Sequence, residues 1–451
     1  MPVPKSLHAQ GAHIRRKFSL RSKQHRTKTG APTQLASAVY TQALPNELLL
    51  AIFQYLGREM FHQRYYWYTP GTPPPTEYTV TTQESRRALV NCLLTCSDWY
   101  YMVVEFLYQE PQISHKRQLR RFTLSVEQYP HLSSRVKALS LSVFAFPKFP
   151  HDLFGVAARG RERCRGYISR IFAACSSITR VDFAFDVLLG NAIGKYLQCA
   201  YSSPTIRLRQ LTLRGGTFHG PISNLYLPNL EVLCLSQHFN FGEFILPSLP
   251  RLHTLQIVGV YTVSPYVLEE AHLPSLRLLQ LFSGTYDAPV FDLDNFPKFS
   301  TLERIELLGT EEVMFFPPVQ AAAVFQTIKG LVLGPLGADT EWLPSWRIPR
   351  KLESLVVFLE FSDEKGVSDK VLRNLLHCLR ASHKSIKWNL KQLVVVAKPD
   401  AFDMAFSTER TQTFLDQLRL SCMGWGVSLK MGEIGQEVYY SAMGSSILIC
   451  I

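Results

Sequence analysis

From Val136 onward the chain repeats one pattern: an apolar residue, two positions, an apolar residue, one position, and a third apolar residue. It occurs at Val136/Leu139/Leu141, Ile178/Val181/Phe183, Leu208/Leu211/Leu213, Leu230/Leu233/Leu235 and Leu252/Leu255/Ile257. It continues at Leu276/Leu279/Leu281, Leu302/Ile305/Leu307, Ile328/Leu331/Leu333, Leu352/Leu355/Val357 and Leu390/Leu393/Val395. The last two apolar residues of each match have strand periodicity, so both face one side of a strand and the residue between them faces the other. Stacking such strands buries a continuous apolar row and predicts a parallel sheet. Longer intervals after Leu141 and Val357 leave room for helices, and Asp152 to Ala174 and Ser368 to Ala381 carry helical periodicity. Gln112 to Tyr129 reads as a connecting helix with a solvated basic cluster at His115, Lys116, Arg117, Arg120 and Arg121.

Upstream, between Ala43 and Tyr108, the period is helical. Leu48, Ile52, Tyr55 and Leu56 share one helical face, with Leu49 and Phe53 beside them. Pro45 suits a first helical turn, and Glu47 puts negative charge where the helix dipole favours it. Apolar positions at Leu89, Cys92, Leu93 and Cys96 form a second piece, and Trp99, Val103, Phe106 and Leu107 a third after an N-cap at Ser97-Asp98. Three short helices with apolar residues on more than one side make a poor independent core and need a partner.

The order Leu44-Pro45-x-Glu47-Leu48-x-x-x-Ile52-Phe53-x-x-Leu56, followed by Leu89-x-x-Cys92-Leu93-x-x-Cys96-x-x-Trp99, resembles an F-box. That helical motif binds the small adaptor subunit of cullin-RING ubiquitin ligases. The resemblance implies that Leu44, Pro45, Leu48, Ile52, Phe53, Leu56, Leu93 and Trp99 meet the adaptor. It departs from the family in a Tyr-, Trp- and Pro-rich insert over residues 57–85, which packs over the motif or hinders the adaptor.

From Leu211 to Leu355 the matches recur at intervals of 22, 22, 24, 26, 26 and 24 residues, inside the roughly 20–29 residues of leucine-rich repeats. Several units share Leu-Pro-x-Leu, as in Leu227-Pro228-Asn229-Leu230, Leu249-Pro250-Arg251-Leu252 and Leu273-Pro274-Ser275-Leu276. This tract resembles the leucine-rich repeats that often follow an F-box. It lacks the Asn expected three residues after the last strand Leu, where Gly216, His238, Val260, Gly284, Thr310 and Leu336 stand instead, so irregular curvature is expected. The expected fold class is α/β: a small helical N-terminal F-box, then a leucine-rich-repeat-like solenoid with a parallel concave sheet. The expected domains are a basic tail over 1–43, the F-box-like motif over 44–109, a connecting helix over 110–135, and the solenoid with a C-terminal cap over 136–451.

Composition changes this picture little. Of 451 residues, 46% are hydrophobic and 19% charged, as in a globular protein. The net charge of +12 points toward nucleic acid until it is located: residues 1–43 carry eight Lys and Arg and no acid. Such a tail reads as a solvated arm, as a nuclear import signal around Arg15, Arg16 and Lys17, or as a mitochondrial presequence. An F-box makes little sense in a mitochondrion, so a cytoplasmic or nuclear location is expected. No apolar run reaches the ~18 residues that span a bilayer, the N-terminus lacks a secretory apolar stretch, and the nine scattered cysteines suggest neither a disulfide framework nor a zinc site.

No nucleophile elbow, phosphate loop, His-Glu-x-x-His or calcium loop occurs, and His377, Cys378 and His383 do not present one helical face. An enzyme, a cofactor and a metal are not expected. Strand alternation places Arg214, Ser236, Gln256, Gln280, Phe282, Glu306 and Phe358 on the concave face as candidate contacts to a substrate protein. Between Leu308 and Phe358 that face turns apolar, which means either an exposed partner strip or one covered by the segment from Phe402 to Ile451. The expected function is substrate selection in an SCF-type ubiquitin ligase, with proximity as the catalytic contribution. The rivals are a ligase-independent interaction scaffold and a nucleic-acid-binding repeat protein. The latter needs concave basic residues, of which only Arg214 appears.

Overall fold

A computed structural model describes residues 48, 49, 52, 88–94, 97–113, 115–141, 154–184, 207–214, 227–236, 246, 248–258, 272–282, 299–308, 327–336, 341–359, 367–385, 388–397 and 409–433. The chain divides into two compact units, Met1–Tyr55 and Leu56–Ile451, so the helices of the F-box-like stretch fall on both sides of the division. The second unit is built on a 12-stranded sheet whose strands lie in chain order. These are β1 (Gln112–Ile113), β2 (Ala138–Leu141), β3 (Arg180–Ala184), β4 (Gln210–Arg214), β5 (Val232–Ser236) and β6 (Thr254–Val258). They continue as β7 (Leu278–Phe282), β8 (Arg304–Leu308), β9 (Gly330–Leu336), β10 (Ser354–Leu359), β11 (Gln392–Ala397) and β12 (Ser428–Glu433). Every neighbouring pair is parallel.

All ten apolar triplets predicted from the sequence lie in one buried cluster. Register explains how: Leu211, Leu233, Leu255, Leu279, Ile305 and Leu331 are cross-strand partners in succession, so each apolar side chain packs on its equivalent one strand away. The Leu-Pro-x-Leu words form the turns that feed the strands. Leu230 N donates to Leu227 O at 3.2 Å, Leu252 N to Leu249 O at 3.1 Å, and Leu276 N to Leu273 O at 3.2 Å. Proline at the second turn position pre-sets the φ that such a turn needs. Before the strands, hydroxyls tie one turn to the previous one: Ser275 Oγ donates to Pro250 O at 2.6 Å, and Thr301 Oγ1 to Pro274 O at 3.0 Å; of the positions where the Asn ladder is missing, all but Leu336 lie outside the described residues.

The two expected long helices are present as α4 (Phe154–Ala174) and α5 (Val367–Ser385), following α1 (Ser97–Gln109), α2 (Lys116–Gln128) and the short α3 (Pro130–Ser133); α6 (Glu409–Trp425) precedes β12. Helices α2 and α4 share the core through Leu119, Val126, Ile168 and Phe172 and are joined outside it by the Glu127–Arg170 ion pair. The connecting helix is shorter than expected. Gln112 and Ile113 leave it to pair with β2, held by Lys137 N to Gln109 O at 2.9 Å and Ser140 N to Pro111 O at 3.1 Å. The basic cluster from His115 to Arg121 is exposed, as a solvated face should be.

Strand β12 has no apolar triplet because Gly426 stands where its predecessors place a Leu, Ile or Val. That glycine does a different job. At φ 71° it closes α6, with Gly426 N bonded to Met423 O at 3.2 Å and Val427 N to Cys422 O at 2.9 Å, the paired bonds of a Schellman cap.

Gly334 is required for a steric reason. Its φ is +152°, and a Cβ there falls 2.3 Å from Phe358 Cβ on β10, where the β9/β10 register shifts. Gly334→Ala should therefore destabilise the protein by about 3 kcal/mol through strain and overpacking. Gly166, in α4 with nothing within 4 Å of a built Cβ, is the control: Gly166→Ala should stabilise by about 1 kcal/mol. Denaturant unfolding of the two variants checks both signs.

Candidate interaction surfaces

Leu48 and Ile52 stand one helical turn apart and are 49% and 42% exposed, while Leu49 between them is buried. A water-facing i,i+4 apolar pair is the reverse of what a helix on its own core displays. In the second unit, residues 88–93 are helical. Leu89 there is fully buried, whereas Val90 and Leu94, again four apart, are 40% and 57% exposed. Of the expected adaptor contacts in this unit, Leu93 and Trp99 are half-buried. Leu44, Pro45, Phe53 and Leu56 lie outside the described residues, as do Arg15, Arg16 and Lys17 of the basic tail. Val90 and Leu94 were not among the expected contacts; the signal for them is the apolar excess on a second side of that helix.

The sheet face opposite the core carries a row of central strand residues fixed by register: Thr212, Cys234, Gln256, Gln280 and Glu306, then Val332, Val356 and Val394. The expectation that Gln256, Gln280, Glu306 and Phe358 face a partner is corrected here: they are 2%, 1%, 0% and 6% exposed. Strands ~4.8 Å apart flank each central side chain on both sides, and Gln280, Glu306 and Arg304 bond to one another instead of to solvent. Gln280 Nε2 donates to Glu306 Oε2 at 2.6 Å, and Arg304 Nε donates to Glu306 Oε1 at 2.7 Å. Gln256 Nε2 finds no partner among the described residues. The apolar half of the row is also buried at Val332, Val356, Phe358, Val394 and Val396, so at those positions the strip is covered rather than open. Arg214, Ser236 and Phe282 align by backbone register in the next row, and their side chains lie outside the described residues.

A third surface is the edge formed by the residue that precedes each strand. There Glu303 meets Lys329 at 3.4 Å, Glu353 meets Lys391 at 2.7 Å and Arg209 approaches Glu231 at 3.6 Å. The Lys391 ammonium holds the Glu353 carboxyl below the usual carboxylate range.

Reactive chemistry is not concentrated anywhere in the described residues. Burial pushes the Cys175 and Cys378 thiols up to about 12, which keeps them protonated and unreactive at neutral pH. His377 is exposed while Cys378 faces the core, and His383 stacks on Trp425 at 5.1 Å, so the three do not converge. Among the described residues no group of His, Cys, Asp and Glu is placed to hold a metal, and no helix is long and apolar enough to cross a membrane.

Burial raises the Glu306 carboxyl pKa and outweighs the opposing pull of Arg304 and Gln280. The folded protein thus holds this proton to higher pH than the unfolded chain. Glu306 contributes most below the ordinary carboxylate range, and its contribution declines as pH rises through the raised folded value. Glu306→Gln removes the titration, so the stability of wild type relative to this variant should fall as pH rises from about 4 to 8 in unfolding experiments at constant ionic strength.

No protein-family model and no curated protein matches the chain.

Proposed function

We propose that this chain is the substrate-recognition subunit of an SCF-type cullin-RING ubiquitin ligase, its F-box-like helices docking on the small adaptor subunit and its repeats holding a target protein. The chain supplies no reacting group in this role; it raises the local concentration of the target beside the ubiquitin-charged enzyme. The observation that carries the reading is the exposed Leu48/Ile52 pair. Those two residues belong to the Leu-Pro-x-Glu-Leu-x-x-x-Ile word on which the resemblance rests, and an apolar pair one turn apart is the anchor that a helix-in-groove contact uses.

Exposure makes the test clean, because polar replacements at Leu48 and Ile52 leave the core intact. Wild type should co-purify with the adaptor, and Leu48→Asp/Ile52→Asp should lose at least about 2 kcal/mol of binding, roughly 30-fold in Kd, with unchanged thermal unfolding. Adaptor binding that is absent from wild type, or that survives the double substitution, overturns the docking role.

A further inference from the structure

The strand-start edge is not chemically uniform. At the residue just before the strand its charges pair, as in Glu303–Lys329, Glu353–Lys391 and Arg209–Glu231. Three residues before the strand, between β4 and β6, they do not. There a groove of about 360 Å³ is lined by Arg207, Arg209, Asn229, Glu231 and Arg251, three guanidiniums against one carboxylate. Arg209 is 3.6 Å from Glu231, while Arg251 Nη1 donates to the neutral Asn229 Oδ1 at 3.0 Å. Neither Arg207 nor Arg251 has an acidic partner among the described residues, and both are exposed.

The fold does not require arginine here. Arg207, Asn229 and Arg251 each stand three residues before a strand; the next two repeats have Ser275 and Thr301 at that position. Those short hydroxyls make the turn-to-turn bonds to Pro250 O and Pro274 O without any charge. An arginine at the same place keeps its guanidinium out in the groove, where its planar fork matches a carboxylate.

We infer that this groove binds an acidic segment of a partner protein in extended conformation, with Arg207 and Arg251 each taking one carboxylate. Spacing selects this ligand. The two arginines are two strands apart with Asn229 between them, about 10 Å at the backbone, which is close to the ~9 Å of one three-residue turn of an extended polyproline II segment, where residues three apart return to the same side. Two separated forks suit two carboxylates, whereas a single phosphoryl group needs donors converging on one point. Glu231, in the middle of the groove, also disfavours a dianion centred there. A nucleic-acid strand is disfavoured because carboxylates recur along the same edge, Glu231 in the groove and Glu303 and Glu353 beyond it.

The inference concerns the repeats alone and holds whether or not the helices dock on the adaptor. It is tested by fluorescence anisotropy with the full chain and no ligase component. The probes are a ten-residue peptide with Glu at two positions three apart, its Glu→Gln counterpart, a counterpart with one phosphoserine and no Glu, and a single-stranded RNA. The Glu peptide should bind, lose affinity with rising salt, and weaken on the order of tenfold with Arg207→Ala/Arg251→Ala. Arg207→Lys/Arg251→Lys should recover only part of this, since charge is kept and the fork is lost. Lys351→Ala, at the equivalent place before β10, should have no effect. Absence of binding to the Glu peptide, equal binding of its Gln counterpart, insensitivity to the arginine substitutions, or tighter binding of the phosphoserine peptide or the RNA overturns the proposal.

Discussion

The carbonyl of the residue just before each strand holds this molecule in register. Arg277 O accepts both Glu303 N and Arg304 N at 2.9 Å, and His253 O accepts Arg277 N at 3.0 Å and Leu278 N at 2.9 Å. The same double acceptance recurs from Arg209 O to Glu353 O. A parallel sheet cannot satisfy its backbone within one repeat, so each strand depends on its neighbour for donors and acceptors. Fixing that one carbonyl fixes everything C-terminal to it: the next residue starts the strand, and the apolar side chains at the second and fourth strand positions fall onto their equivalents in the core. The connections may then differ in length, because only the turn and the strand have to match.

The same register decides the electrostatics. Stacking strands residue upon residue brings like positions together, and like charges there would repel at about 5 Å. Glu303, Lys329, Glu353 and Lys391 alternate in sign along the edge. Each exposed pair contributes about 0–1 kcal/mol, far less than the fully buried leucines beside it, so these pairs do not hold the sheet together. Their effect is to make the correct stacking free of repulsion. On the opposite face the problem is different, since Glu306 is fully buried. There Arg304, two residues earlier on the same strand, and Gln280, one strand away, supply the donors that solvent would have given.

How much of this was legible follows from what each pattern encodes. The triplets encode strand, face and register together, and every one of them sits in the core. Helices α4 and α5 were legible from their period. Strand β1 was not, because two residues of sheet at the head of an amphipathic stretch carry no period of their own. Strand β12 was not, because Gly426 serves the helix cap at a place where the pattern asks for an apolar residue. Period two also says which side a residue faces without saying whether that side is covered. Gln256, Gln280 and Phe358 face away from the core as expected and are nevertheless buried. At Leu48 and Ile52 the reverse holds: the sequence marked them as interfacial through a resemblance, and their exposure is a fact about packing that composition does not contain.

Burial of the central row bears on where the repeats can meet anything. The positions from Thr212 to Val394 on the second face are closed to solvent, so their side chains are not presented to a partner. The strand-start edge has no such barrier. Its backbone groups are already used by the double-acceptor ladder, which leaves the side chains there free of structural duty wherever a small hydroxyl can serve in the turn. Charge at that edge can therefore vary from repeat to repeat at little cost to the fold, and specificity can be written into it. The core row tolerates no such freedom, since each Leu there is a neighbour to the Leu above and the Leu below. In a parallel stack of this kind, stability and recognition separate by position within the repeat, the first to the apolar triplet and the second to the residues that precede it.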